Sequence, residues 1–186
     1  HRLILIKFLS LLIFFCLEII LIYIYIISRM IHYVFDLDDT LIIHKKGVRI
    51  NYDMIQPDIE LKKLLSKCNG SRYIYTNGTG GHALNIIEKM NIKEDFEKIY
   101  SRDTIPYMKP LYESFSRVHQ DLSERDPLPK VVFFFDDLLE NLETAAQLGW
   151  ITFWIHPNYQ TGKYYPYVKM SFSNIKSCLR YLETKY

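Results

Sequence analysis

The sequence predicts an α/β fold: a three-layer sandwich with a mostly parallel sheet in the middle and helices on both faces. Two observations predict it. Apolar runs of strand length alternate with segments of helical periodicity from about residue 30 onward. The runs Ile31–Phe35 and Lys130–Phe135 are apolar but for His32 and the leading Lys130, as strands buried on both faces should be. With 186 residues, 49% hydrophobic and 15% aromatic, the chain can bury one good core, and residues 30–186 are expected to form one domain.

Residues 1–29 stand apart from it. Phe8 to Ile27 is apolar but for Glu18 and long enough to span a bilayer, with Arg2 and Lys7 before it. Yet residues 1–29 contain no Ala, Gly, Val, Pro or Thr, whereas membrane helices commonly use small residues. The segment is dominated by Ile, Leu, Phe and Tyr, which A/T-rich codons spell, and Met30 falls immediately before the first strand. The expectation is therefore upstream translation or an early start, and a cytoplasmic protein. The alternative is a membrane anchor at residues 8–27.

The elements then follow in order. Ile31–Phe35 is the first strand and leads into Asp36-Leu37-Asp38-Asp39-Thr40-Leu41. Ile42 to Ile50 reads as a small hairpin around Lys45-Lys46-Gly47. Pro57 is expected to open a helix through Lys67 with Ile59, Leu61, Leu64 and Leu65 inward, ended by Asn69-Gly70. Arg72–Tyr75 is a second buried strand, followed by Thr76-Asn77-Gly78-Thr79-Gly80-Gly81 and a helix from His82 to Met90. A short strand at Lys98–Ser101, a loop with Pro106 and Pro110 and a helix from Leu111 to Leu122 come next. Lys130–Phe135 ends in Asp136-Asp137 and a helix runs from Leu139 to Leu148. A strand at Ile151–Ile155, a weak one at Val168–Phe172 and a helix from Asn174 to Leu182 complete the chain.

The polar residues mark the chemistry. Ligands in such sheets bind at the carboxyl ends of the strands, and there the chain places Asp36, Asp38 and Asp39, then Thr76 and Asn77, then Asp136 and Asp137. One acidic pair at a strand end is an ordinary turn or cap, but three clusters on one edge point to an active site. Alternation along an extended chain turns Asp36 and Asp38 to one side and Leu37 away. Two carboxylates so close persist only with a cation between them or a proton on one. By the same alternation Asp136 and Asp137 face differently.

DLDDTL at Asp36–Leu41, YTNG at Tyr75–Gly78, MKP at Met108–Pro110 and FFDDLLEN at Phe134–Asn141 resemble, in order, the four motifs of the haloacid dehalogenase (HAD) superfamily. The resemblance covers essentially all of residues 30–186. TNGTGGHALNIIEKMNI and FFDDLLENLETAAQLGW look most like pyrimidine 5′-nucleotidase-type phosphatases. It implies a Rossmannoid fold and a phosphatase. Asp36 would be the nucleophile, forming an aspartyl-phosphate, and Asp38 the general acid and base. Asp36, the main-chain carbonyl of Asp38, and Asp137 would hold Mg²⁺. Thr76, Asn77 and Gly78 would bind the phosphoryl group and Lys109 would stabilise the transition state. Asp136 and Asn141 would fix Lys109 and the metal waters.

The nucleotidase-type members also carry a helical cap between the first two motifs. Only Leu41 to Gln56 separates them from the Pro57 helix here, and Thr76 to Lys109 leaves no room for a cap either. An open site is expected, screened at most by the 42–50 hairpin or by a partner subunit in a homo-oligomer. That weakens a small nucleotide as substrate and favours a macromolecular phosphate on a protein or a nucleic-acid end. A non-catalytic binding module on the same fold is the rival of a different class.

Other residues read more plainly. Asp39 is taken as a loop carboxylate, Thr40 as a turn hydroxyl, and His82 as a structural helix-start residue. Lys45, Lys46 and Arg49 make a solvated hairpin, and Tyr159, Tyr164, Tyr165 and Tyr167 are packing residues. The net charge of +2 is too small for bulk nucleic-acid binding. Cys16, Cys68 and Cys178 form no metal motif and are expected as reduced, packed thiols.

Overall fold

The first strand, β1 (Ile31–Phe35), lies inside a six-stranded sheet with β2 (Ser71–Tyr75), β3 (Lys98–Tyr100), β4 (Val131–Asp136), β5 (Ile151–Ile155) and β6 (Met170–Phe172). The computed structural model describes residues 13–20, 31–44, 51–125 and 131–185. The strand order is β3-β2-β1-β4-β5-β6, and every neighbouring pair is parallel. The order reverses between β1 and β4, so the chain winds outward from the middle of the sheet in both directions.

Alternation along the strands divides the core in two. Tyr33, Phe35, Phe133, Phe135 and Phe153 face one side and pack under α2 (Ile59–Leu65), α3 (Gly80–Lys89) and α6 (Ile175–Glu183). Val34, Tyr73, Tyr75 and Phe134 face the other, beneath α4 (Tyr112–Arg125) and α5 (Leu139–Gln147). Each fully buried aromatic or leucine side chain stabilises by about 2 kcal/mol relative to exposure. That burial on both faces is why β1, apart from His32, and β4, up to Asp136, read as apolar runs.

Several boundaries differ from expectation. Pro57 lies before α2 and does not open it. Asp58 is the N-cap, its carboxylate accepting Leu61 N at 2.9 Å, because a carboxylate satisfies an orphan amide that proline cannot. Ile59, expected inward, is 79% exposed, and the buried stripe is Leu61, Leu64 and Leu65. The helix closes at Ser66 rather than at Asn69-Gly70. Of the hairpin expected at 42–50, residues 45–50, with Lys45, Lys46 and Arg49, lie outside the described residues. Ile42 makes an isolated bridge with Asp38 in place of a strand arm. Lys130 also lies outside them.

Residues 13–20 are helical (α1) and exposed, and the remainder of 1–29 is outside the described residues. Among the described residues no helix is long and apolar enough to cross a membrane. All three cysteines are free thiols, Cys178 buried and Cys68 half-buried, while Cys16 is exposed rather than packed. Tyr159, Tyr165 and Tyr167 pack against the second core cluster, whereas Tyr164 is exposed.

Candidate active site

Where the strand order reverses, β1 and β4 run in register from Ile31↔Val131 to Phe35↔Phe135. One residue further on, Asp36 N donates to Phe135 O at 2.9 Å. Asp36 and Asp136 therefore emerge side by side at the carboxyl edge. Lys109, on the loop before α4, reaches between them. Its Nζ donates to Asp36 Oδ1 at 2.7 Å, Asp136 Oδ2 at 2.7 Å and Tyr75 O at 2.9 Å, which engages all three ammonium hydrogens. The rings of Tyr75 and Phe134 flank it, with centroids at 5.0 and 5.5 Å. The Lys109 side chain is 1% exposed and that of Asp136 0%, so this is a desolvated ion network.

Asp136 is saturated by protein donors. Its Oδ1 accepts Leu138 N and Asn141 Nδ2, both at 2.9 Å, and its Oδ2 accepts Asn141 Nδ2 at 3.0 Å besides Lys109. Asp137 is half-buried. One oxygen from each of Asp36, Asp136 and Asp137 lies within 4.8 Å of the others. Burial pushes the Asp137 carboxyl up to about 7, with the charges of Asp136 and Asp39 adding to it. Asp36 is raised too, by burial first, with Lys109 pulling it down and Asp136 and Asp137 pushing it up. Burial works against the Lys109 ammonium, but Asp136 and Asp36 outweigh it and hold the charge. Three carboxylates around one ammonium, all with oxygen donors, fit a hard divalent cation. Since Asp136 is occupied, Asp36 and Asp137 are the side chains left to hold one.

The turn after β2 faces the same edge. Thr76 is 3% exposed, and its Oγ1 accepts Gly78 N at 2.9 Å, which leaves its O–H proton to donate into the site. Asn77, expected to bind phosphate, turns its side chain to the Lys109 main chain, with one Nδ2 hydrogen left over. Asn77 Oδ1 accepts Lys109 N at 2.8 Å and Asn77 Nδ2 donates to Lys109 O at 2.9 Å. It clamps the main chain that presents the ammonium. At the start of α3, Gly80 N donates to Asp103 at 2.6 Å and His82 N to Thr79 at 3.2 Å, so these amides are engaged within the loop.

No family model matches the chain, and no curated protein matches it in sequence. Solved structures do match. The described HAD-hydrolase YfnB from Bacillus subtilis, bound to magnesium, superposes with a TM-score of 0.62 at 15% identity, covering 83% of this chain and 99% of that one. D,D-heptose 1.7-bisphosphate phosphatase from B. bronchiseptica, complexed with magnesium and phosphate, gives 0.61 at 15% identity over 84% and 100% of the two chains. This is the haloacid dehalogenase fold. L-2-haloacid dehalogenase from Xanthobacter autotrophicus gives 0.56 at 14% identity over 73% of this chain, which spans 64% of the dehalogenase's length.

On this HAD fold Asp38 has surroundings that the motifs do not reveal. His82 Nε2 is hydrogen-bonded to Asp38 Oδ1 at 3.2 Å. His44 Nε2 is buried and lies 3.2 Å from the same oxygen, within ion-pair distance but out of line for a hydrogen bond. Asp39 takes a left-handed conformation (φ 61°), which an aspartate tolerates, and its Oδ1 accepts His44 N at 2.8 Å. Thr40 is fully buried, and its hydroxyl has no hydrogen-bond partner among the described residues. The sequence singled out neither His44 nor the Asn77 clamp. A histidine six residues beyond an Asp of this motif is the one signal that could have raised His44.

Proposed function

We propose that this protein is a Mg²⁺-dependent phosphatase that hydrolyses a phosphomonoester through Asp36. The observation that carries the reading is the Lys109 ammonium held between Asp36 and Asp136, with Asp137 beside them, at the reversal point of the sheet. A bound Mg²⁺, held by Asp36, Asp137 and the main-chain carbonyl of Asp38, would screen the carboxylates from the incoming phosphate and polarise its oxygens.

The residues of the chain divide the work. Asp36 attacks phosphorus, and the bond from phosphorus to the substrate oxygen breaks as Asp38 gives that oxygen its proton. Asp38, now a carboxylate, takes a proton from the water that attacks the aspartyl-phosphate. The bond from phosphorus to Asp36 then breaks, inorganic phosphate leaves, and both carboxyl groups return to their starting state. Lys109 and the Thr76 hydroxyl stabilise the charge on the phosphoryl oxygens. Asn77, Asp136 and Asn141 keep Lys109 where this requires it.

The substrate reading follows from access. Among the described residues no cap element stands between β1 and α2 or between β2 and β3. A cavity of about 520 Å³, bounded by Asp39, His44, Asp137, Leu138, His156 and Asn158, opens beside the carboxylates. It could take a nucleoside, and the open rim favours a phosphate on a larger molecule. Release of 4-nitrophenol from its phosphate ester, present with Mg²⁺ and lost with EDTA, tests the activity. No turnover on any phosphomonoester would leave the non-catalytic binding module. A panel of nucleoside monophosphates, phosphopeptides and 5′-phosphorylated oligonucleotides then separates the substrate classes, and a strong preference for nucleotides would count against the open-site argument.

The raised carboxyls predict how stability varies with pH. A carboxyl with a raised folded pKa binds more protons folded than unfolded, so its contribution is full below about 3.8 and is lost as pH rises toward about 7. The EDTA-treated protein is therefore expected to melt at a lower temperature at pH 8 than at pH 5, and millimolar Mg²⁺ should recover much of the difference at pH 8. A melting temperature indifferent to Mg²⁺ at pH 8 would count against a cation at these carboxylates.

A further inference from the structure

The two imidazoles beside Asp38 have no part in the mechanism above, yet they converge on one of its two oxygens. Thr79 caps α3 and accepts His82 N, which fixes the first turn and directs the ring back toward β1. His82 Nε2 and His44 Nε2 each lie 3.2 Å from Asp38 Oδ1. The Tyr52 ring stands edge-on to both imidazoles, at 5.1 Å from His82 and 6.5 Å from His44. Tyr52 is tied to α3 in turn, its carbonyl accepting Lys89 Nζ at 3.0 Å. Among the described residues the other oxygen is left without an imidazole nitrogen on it. A Cβ placed on Gly78 would meet His82 Cδ2 at 3.1 Å, Thr76 Oγ1 at 3.2 Å and Asp38 Oδ2 at 3.8 Å, so Oδ2 borders the turn that carries the Thr76 hydroxyl.

We propose that His82, seconded by His44, is a positioning residue that pins Asp38 Oδ1 and so presents Oδ2 to the departing oxygen of the substrate. The inference rests on the phosphatase reading. The terminal torsion of an aspartate is broad and roughly two-fold, so an unheld carboxyl would turn either oxygen to the site and would sample poor proton-transfer angles. Proton transfer in the transition state needs the donor in line and within hydrogen-bond reach. A contact on Oδ1 supplies that without touching the substrate. The side chains of His82, His44 and Asp38 are 27%, 22% and 32% exposed, which shelters the contacts from full solvent screening.

Such a role matters only where the leaving group needs a proton. Phenolate is a poor leaving group, and 2,4-dinitrophenolate departs unaided, although the two esters have similar shapes. The specificity constant kcat/KM reports the first phosphoryl transfer and no later step. In His82→Ala, kcat/KM for phenyl phosphate is expected to fall at least about tenfold further than kcat/KM for 2,4-dinitrophenyl phosphate. His44→Ala should shift the same ratio by less, and His82→Gln, which keeps an N–H donor, should restore most of it. Equal losses on both substrates in His82→Ala and in His44→Ala would overturn the positioning role and leave the histidines structural. A wild-type protein inactive on both esters and on the whole phosphomonoester panel would instead overturn the phosphatase reading itself.

Discussion

Replacing Asp36 by asparagine is expected to abolish turnover while the protein stays folded. The loss should be on the order of 10⁴-fold or more in kcat, the scale seen when a nucleophile is removed from a covalent mechanism. Asparagine has the shape of aspartate and no competent nucleophile. The fold should tolerate it because Lys109 keeps Asp136 and the Tyr75 carbonyl as partners. Asp36 is also held under strain as an anion: burial raises its pKa, and Asp136 and Asp137 repel it. Removing that charge relieves part of the repulsion, so at pH 8 without metal the variant should melt at or above the wild-type temperature. The gain from Mg²⁺ should shrink at the same time, since one ligand is gone. Turnover of 4-nitrophenyl phosphate and a thermal melt with and without Mg²⁺ measure all three. Wild-type turnover in Asp36→Asn would end the reading of this residue as the nucleophile.

How far the molecule could be read from its residues depended on the range of the interactions. The strands were legible because a strand covered on both faces carries a local mark, the unbroken apolar run ending in a polar residue. Val131 to Asp136 is the plainest case. The convergence of Asp36, Asp136 and Asp137 on one edge was legible for the same reason, since parallel strands deliver their carboxyl ends together. Asn77 was not. The partner of its clamp is the backbone of Lys109, 32 residues away, and no local pattern announces an amide that holds a loop so distant in sequence. His44 was missed because its place depends on the tight turn in which Leu41 N and Ile42 N both donate to Leu37 O, with Asp39 left-handed. Pro57 shows a local rule overruled by its neighbour, as Asp58 offered the better cap.

Lys109→Met tests the other half of the site and should be the more damaging change for stability. The methionine fills much the same volume, but Asp36 and Asp136 are left buried without their cation, and Tyr75 O without its donor. Breaking a buried ion pair from one side costs about 3–5 kcal/mol, a large share of the ~5–15 kcal/mol that holds a typical domain together. The deficit should shrink toward pH 5, because the orphaned carboxyls can then take up protons in the folded state. Adding Asp136→Asn removes one of the stranded charges and should recover about 2 kcal/mol or more in urea unfolding. Turnover should not return with it. Lys109 is needed where charge develops on the phosphoryl group, and the loss of one such donor costs about 10²–10³-fold in kcat. A double variant that is stable but inactive separates the two roles of this ammonium. If the single variant unfolds no more readily than wild type, the ammonium is not what makes two buried carboxylates tolerable at this edge.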